Sequence, residues 1–239
     1  MIGHTVVRLD ETSSTNDIAK ELSSGLNADG MVVLSGRQTK GKGRLGRQWF
    51  SPPDTGIYLS IILKSPLQEH FSSILCPAVS LAVVRTIEYF SSLKPLIKWP
   101  NDIIVNSKKV GGILVEKNGD AFIVGIGVNL NTETQEFPEE IKDKATSLKV
   151  ESGKHWDKED FLKKLFISFE EILSQLRAEG GDKSLLDKVK DRSFTLGKTV
   201  KVTDGKRTFH GEACGFESDG SLLLKTADGK IVNIKSGET

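Results

Sequence analysis

The stretch from Gln38 to Pro53, QTKGKGRLGRQWFSPP, restricts what this chain can become more than any other. From Arg37 to Arg47 it carries five basic residues, three glycines and no acid, a composition that core packing does not call for. Gly41, Gly43 and Gly46 permit positive φ and close approach of backbone N–H groups to a ligand. Arg44 and Arg47 offer planar forks matched to carboxylate or phosphate oxygens. An anionic ligand is therefore expected. The pattern is neither the GxxxxGK[ST] phosphate loop nor the GxGxxG dinucleotide fingerprint, so neither mechanism can be borrowed. Taken alone, the loop reads equally well as a solvated basic connection.

Other stretches repeat the demand. Lys98–Asp102 reads KWPND, Lys109–Glu116 reads KVGGILVE, and Val124–Asn131 reads VGIGVNLN. Glycine inside a strand weakens it unless another backbone or a ligand must come close. Two such strands and a cationic glycine loop point to one small-molecule site.

These pieces resemble the biotin protein ligases. The resemblance rests on SSTN at Ser13–Asn16, GKGRLGR at Gly41–Arg47 followed by Trp49, KWPND, KVGGILVE and GIGVNLN at Gly125–Asn131, in that order and spacing. With the C-terminal module it covers nearly the whole chain. Lys42 stands where the family loop usually has arginine, which keeps the charge but loses the fork. The resemblance implies an α+β fold: a mixed sheet flanked by helices, like class II aminoacyl-tRNA synthetases and biotin ligases, with a small SH3-like C-terminal β-barrel. Residues 1–190 are expected to form the catalytic biotin- and ATP-binding domain and residues 191–239 the barrel.

Composition sets the bounds. A chain of 239 residues has room for one good-sized core and a small appendage. Its net charge of +1 provides no global field toward nucleic acid or a membrane surface. Cys76 and Cys214 lie far apart and form no CxxC, which suits a reducing compartment. MIGHTVVRLDET does not read as a signal peptide, and no long uninterrupted apolar run suggests a membrane span. A cytoplasmic protein is expected.

In chain order, Thr5–Leu9 and Met31–Ser35 read as strands around a helix Asn16–Ser24, with Gln38 just past the second strand. Ile57–Leu63 is a strong strand, Ser73–Phe90 a long apolar helix, and Leu96–Trp99 and Ile103–Val105 short strands. Asn106–Lys109 is a hairpin tip. Lys158–Gln175 is an amphipathic helix, followed by another at Lys183–Lys190. After Leu196, short strands alternate with Asp-Gly turns at 204–205, 219–220 and 228–229. Alone, SSTN would be a helix cap, Asp102 a turn residue and Asn129 a satisfied buried amide.

The resemblance assigns further roles. Biotin would be bound by Ser14, Thr15, Asn16, Gln38, Gly41, Lys42, Arg44, Lys109, Gly111 and Gly112, and ATP by Arg44, Arg47, Trp49, Lys109 and Asn129. Lys109, Arg44 and Asp102 would be catalytic. No protein metal site is expected, Mg²⁺ arriving with ATP. The partners implied are a biotin carrier domain of a carboxylase and a second copy of the chain, with no nucleic acid and no membrane. No winged-helix segment precedes Thr5, so the family's transcriptional repressors are not the pattern expected. A lipoate or octanoate ligase would share the fold, but its arginine-rich RRxxGGG stretch is absent. A nucleic-acid-binding module would use the basic loop and barrel, against which stand the near-zero net charge and a loop without interleaved aromatics.

Overall fold

The computed structural model describes residues 1–64, 71–178, 181–205, 207–237 and 239. Among them, the strands are β1 Val6–Thr12, β2 Val32–Gln38, β3 Gly56–Leu63, β4 Leu96–Lys98, β5 Asp102–Val105, β6 Lys108–Asn118 and β7 Ala121–Asn129. These form a mixed sheet in the order β1-β2-β3-β7-β6-β5-β4, in which only the β1–β2 pair is parallel. Helix α1 (Thr15–Leu22) makes the crossover between these parallel strands.

The first two strands run further than the apolar pattern predicts. β1 continues through Asp10, Glu11 and Thr12 because β2 supplies a ladder for them, pairing Glu11 with Arg37 and Thr12 with Gln38. Arg37 Nη1 also donates to Glu11 Oε2 at 2.9 Å. Gln38 is consequently the last residue of β2, not a residue beyond its end.

Alternation divides the sheet into two faces. Ile57, Leu59, Ile61 and Leu63 of β3 point into the main core with Val124, Ile126 and Val128 of β7. There they meet α2 (Phe71–Phe90) and α5 (Lys158–Arg177). α2 buries residues around much of its circumference, from Ile74 and Leu75 to Ile87, as expected of a helix packed between a sheet and a second helix. α5 is amphipathic and is capped by Asp157, whose carboxylate accepts from Asp160 N at 2.8 Å. Each Ile or Leu so enclosed contributes roughly 1.5–3 kcal/mol of burial. Short helices α3 (Glu139–Lys142) and α4 (Leu148–Ser152) precede α5, and α6 (Gly181–Lys190) follows it.

The opposite face is covered differently. Ala19 of α1 packs with Val33, Ile62 and Ile123, closing one end. The part over β7, β6 and β5 carries the cavity. The β5–β6 hairpin turns through Asn106 and Ser107, at φ 47° and 67°, the left-handed pair of a tight two-residue turn.

The C-terminal unit is an antiparallel sheet of β8 Thr199–Asp204, β9 Arg207–Phe216, β10 Leu222–Lys225 and β11 Ile231–Ile234, ordered β11-β10-β9-β8. Gly205, Gly220 and Gly229 have positive φ at the three Asp-Gly turns. Its core gathers Val202, Ala213, Leu222, Leu224 and Ile234 around Trp99, which comes from the KWPND segment of the larger sheet. Trp99 Nε1 donates to Gly220 O at 3.2 Å and Trp99 N to Thr195 Oγ1 at 2.9 Å. The KWPND turn is thus held from the C-terminal side.

Candidate active site

Strand register builds the floor of the site. Lys98, Asp102, Gly112, Gly127 and Tyr58 are paired in succession across five strands, and Leu114, Gly125 and Ser60 form the neighbouring row. Two adjacent glycines in the first row leave a trough where side chains would otherwise stand. The Trp49 indole lies over it: a Cβ on Gly127 would fall 2.5 Å from Trp49 Cε2, and one on Gly112 3.3 Å from Trp49 Cζ3. Among the described residues the buried indole Nε1 meets no hydrogen-bond partner, a donor that an incoming acceptor would relieve. The cavity over this floor is about 550 Å³, a size suited to a small-molecule site.

One end of the cavity is neutral and polar. Ser14 adopts the extended N-cap conformation but its side chain makes no capping bond. The amide of Thr15 instead donates to Gln38 Oε1 at 2.8 Å, and Gln38 Nε2 donates to Ser51 Oγ at 3.0 Å. Asn16 Nδ2 donates to Glu116 Oε2 at 2.7 Å, and Lys20 Nζ to Glu116 Oε1 at 2.6 Å. Burial pushes the Glu116 carboxyl up, but the bonds from Asn16 and Lys20 outweigh it and hold the group below its ordinary value.

The other end is charged. Lys109 Nζ lies 2.5 Å from Asp102 Oδ1 and stands over the Trp49 ring at 5.3 Å from its centroid. The Lys109 backbone is clamped by its N–H to Lys144 O at 2.8 Å and by Thr146 N to its carbonyl at 2.9 Å. Asn129 Nδ2 donates to Thr146 O at 3.0 Å. From the glycine loop, Arg44 Nη1 donates to Gly237 O at 3.0 Å and reaches Asn101 Oδ1 at 3.5 Å, and Lys42 pairs with Asp17 of α1. Leu45 in the same loop has φ 54° and is 71% exposed, so apolar burial does not fasten the loop.

Comparison with known proteins agrees with this arrangement. Residues 9–132 match the Biotin/lipoate A/B protein ligase family, and residues 195–238 match the Biotin protein ligase C terminal domain. The chain belongs to the biotin protein ligase family. A bifunctional ligase/repressor BirA of Bacillus spizizenii is 35% identical over 236 residues, covering 96% of this chain and 72% of the relative. A biotin--[acetyl-CoA-carboxylase] ligase of Mycobacterium tuberculosis is 30% identical, covering 95% of this chain and 85% of its own. The solved biotin protein ligase from Aquifex aeolicus in complex with biotin and ATP superposes with a TM-score of 0.87 at 34% identity, covering 98% of this chain and 97% of that one.

Of the residues that the biotin ligase resemblance singles out, Ser14, Thr15, Asn16, Gln38, Lys42, Arg44, Arg47, Trp49, Asp102, Lys109, Gly112 and Asn129 line the one cavity. Gly41 and Gly111 do not. Gly41 packs against the chain at Trp49 and Ser51, where a Cβ would fall 2.5 Å from Trp49 O, and Gly111 faces Ile103 and Gly127 O on the core side of β6. Several lining residues carried no assignment: Lys98, Asn101 and Lys144 among the polar ones, with Phe194, which precedes the C-terminal sheet, and Thr239, which follows it. Lys98 and Asn101 were signalled by KWPND. Phe194 and Thr239 had no local signal, since only chain packing brings them there.

Proposed function

We propose that this biotin protein ligase activates biotin with ATP, giving biotinyl-5′-AMP and pyrophosphate, and then transfers biotin to a lysine of the biotin carrier domain of a carboxylase. The observation that carries the reading is a single cavity with neutral amide and hydroxyl groups at one end and a lysine–carboxylate pair at the other. Biotin has the same polarity: a neutral ureido head and a carboxylate tail.

In the first step the biotin carboxylate attacks the α-phosphorus and pyrophosphate leaves. Two anionic groups must approach, so the protein's share is positioning and charge neutralisation. Lys109, on a clamped strand, is suited to the reacting oxygens, and Arg44 and Arg47 to the phosphates from the loop. Trp49 and Asn129 are the proposed nucleotide contacts, and Ser14, Thr15, Asn16 and Gln38 those of the biotin head. Mg²⁺, when bound with ATP, adds charge neutralisation at the phosphate oxygens. Asp143, a carboxylate lining the cavity, would be available to such an ion, which takes most of its ligands from phosphate and water.

In the second step the carrier lysine attacks the mixed anhydride and AMP leaves. Free lysine has a pKa of about 10.4, so its proton must be taken up. Asp102 is suited to this: once Lys109 is drawn to the adenylate, the carboxylate it holds at 2.5 Å becomes available to the incoming ammonium.

The unit of residues 1–190 is proposed to carry these reactions with the C-terminal unit of 191–239 bracing it. We place the enzyme in the cytoplasm. No described helix is long and apolar enough to cross a membrane. A homodimer is proposed through the open edge of β1, and sedimentation equilibrium tests it. The function itself is tested by pyrophosphate exchange with biotin, lipoate or octanoate as the acid. Biotin alone should drive exchange, and MgATP with biotin should label one lysine of a carrier domain. Exchange driven by lipoate and not by biotin would overturn the assignment.

A further inference from the structure

Asn16 is tied on both sides. Its Nδ2 donates to Glu116 Oε2 at 2.7 Å, and its Oδ1 lies 2.5 Å from Ser60 Oγ. That oxygen also rests on Gly125, where any Cβ would collide with it. Glu116 accepts a second bond from Lys20 Nζ at 2.6 Å, and the fully buried Ser60 Oγ lies 2.7 Å from Thr15 Oγ1.

Counting protons gives this chain of contacts a direction. A carboxylate only accepts, so the Asn16 amide must turn its NH₂ to Glu116 and its oxygen to Ser60. An amide oxygen cannot donate, so the single Ser60 proton lies in the contact to Asn16. The 2.7 Å contact between Ser60 and Thr15 must then be made by the Thr15 proton. Gln38 Oε1 lies 3.2 Å from Thr15 Oγ1 and is served by the Thr15 backbone N–H at 2.8 Å. The Thr15 hydroxyl is left with lone pairs for the cavity that it lines.

We propose that Lys20, Glu116 and Ser60 are positioning residues, which hold Asn16 in one orientation and turn the Thr15 hydroxyl into an acceptor for a ureido N–H of biotin. The inference rests on the biotin-ligase reading above. Lys20, Glu116 and Ser60 do not line the main cavity, so their influence passes through Asn16 and Thr15. The directed chain distinguishes a cyclic urea, which brings N–H donors, from a head group that brings none. The same contacts explain why Glu116 closes the KVGGILVE segment: its strand position faces α1 across the trough.

The test is calorimetric titration of the full chain with biotin alone and with ATP alone. Glu116→Ala should weaken biotin about tenfold, the effect of losing one buried hydrogen bond, with ATP affinity changed less than about twofold. Glu116→Gln keeps an acceptor for Asn16 and should recover most of the loss. Ser60→Ala releases the Thr15 proton and should also cost about tenfold. The double variant Glu116→Ala/Ser60→Ala should fall well short of the hundredfold product, because both changes break one chain. The relay is overturned if Glu116→Ala binds biotin like the parent, if biotin and ATP weaken equally, or if the two losses multiply. A parent protein that binds no biotin would sink the underlying reading with it, whereas a parent that binds and variants that are indifferent sink the relay alone.

Discussion

Gly127 and Trp49 are fitted to one another: a Cβ on the glycine would fall 2.5 Å from Cε2 and 2.6 Å from Nε1 of the indole. Gly127→Ala should therefore displace the ring, whereas Gly112→Ala, whose Cβ would be 3.3 Å from the nearest indole carbon, should be milder. Overpacking of this kind costs about 1–3 kcal/mol. We expect Gly127→Ala to lose at least tenfold in biotin-driven pyrophosphate exchange and to change the tryptophan emission, with Gly112→Ala retaining more of both. Of the other two tryptophans, Trp156 is buried in the main core and serves as a constant background, whereas Trp99 also lines the cavity, so the emission change is read as the difference between the two variants. Equal losses in the two variants would show that the trough does not seat the ring.

Lys109 sits on a strand clamped by Lys144 and Thr146, while Arg44 sits on a loop and is held by the Gly237 carbonyl and Asn101. Lys109→Ala should lose adenylate formation by roughly 10²–10³, the usual consequence of removing a main electrostatic donor. Arg44→Gly should instead form the anhydride and release it, so that biotin appears on lysines of a bystander such as albumin. Blotting for biotin after incubation with MgATP separates the two roles. Full adenylation by Lys109→Ala, with no extra bystander labelling by Arg44→Gly, would contradict the division.

With Leu45 exposed, the glycine loop is held by polar contacts, among them those of Lys42, Arg44 and Gln48, and not by apolar burial. We expect trypsin to cut after Lys40, Lys42 or Arg44 in the empty protein and to be blocked by biotin with ATP. Cleavage at the same rate in both states would argue against a closing loop.

Glu116 supplies a pH prediction. Its folded carboxyl lies below its ordinary value of about 4.3, so the native state favours the ionised form. That contribution is fully present above the unfolded pKa and is lost as pH falls through the lower folded value. Lys20 and Lys42 are the nearby cations, with Asp17 the neighbouring acid. Melting temperatures taken between about pH 3 and pH 6 should fall less steeply toward acid in Glu116→Gln than in the parent. Parallel curves would mean that Glu116 carries no such linkage.

Much of this was legible in the residues themselves. Glycines alternating with apolar residues in VGIGVNLN marked one face of β7 as bare, because alternation puts Gly125, Gly127 and Asn129 on the same side. The Asp-Gly pairs marked the C-terminal turns, because glycine there takes the positive φ that other residues resist. Local chemistry left SSTN as a helix cap, the basic loop as either a ligand loop or a solvated connection, and Lys109 at a hairpin tip; it was the resemblance to the biotin protein ligases that assigned all three to a ligand site. What local chemistry misjudged was the extent of β1 and β2, whose polar ends are strand only because each supplies the other with a ladder.

The tertiary structure alone decided partnership. Strand register, not proximity in the chain, sets Gly112 beside Gly127 and Asp102 beside Gly112. SSTN suggested a self-capped helix, yet the Thr15 amide is met by Gln38 from the neighbouring strand and Asn16 by Glu116 from β6. Trp99 was legible as part of KWPND, but not as the centre of the C-terminal core. The physical reason is common to all of these. Backbone propensity and side-chain period are properties of a few consecutive residues, and so they can be read in order. Which donor meets which acceptor depends on distances between segments a hundred residues apart, and those exist only after the sheet has closed.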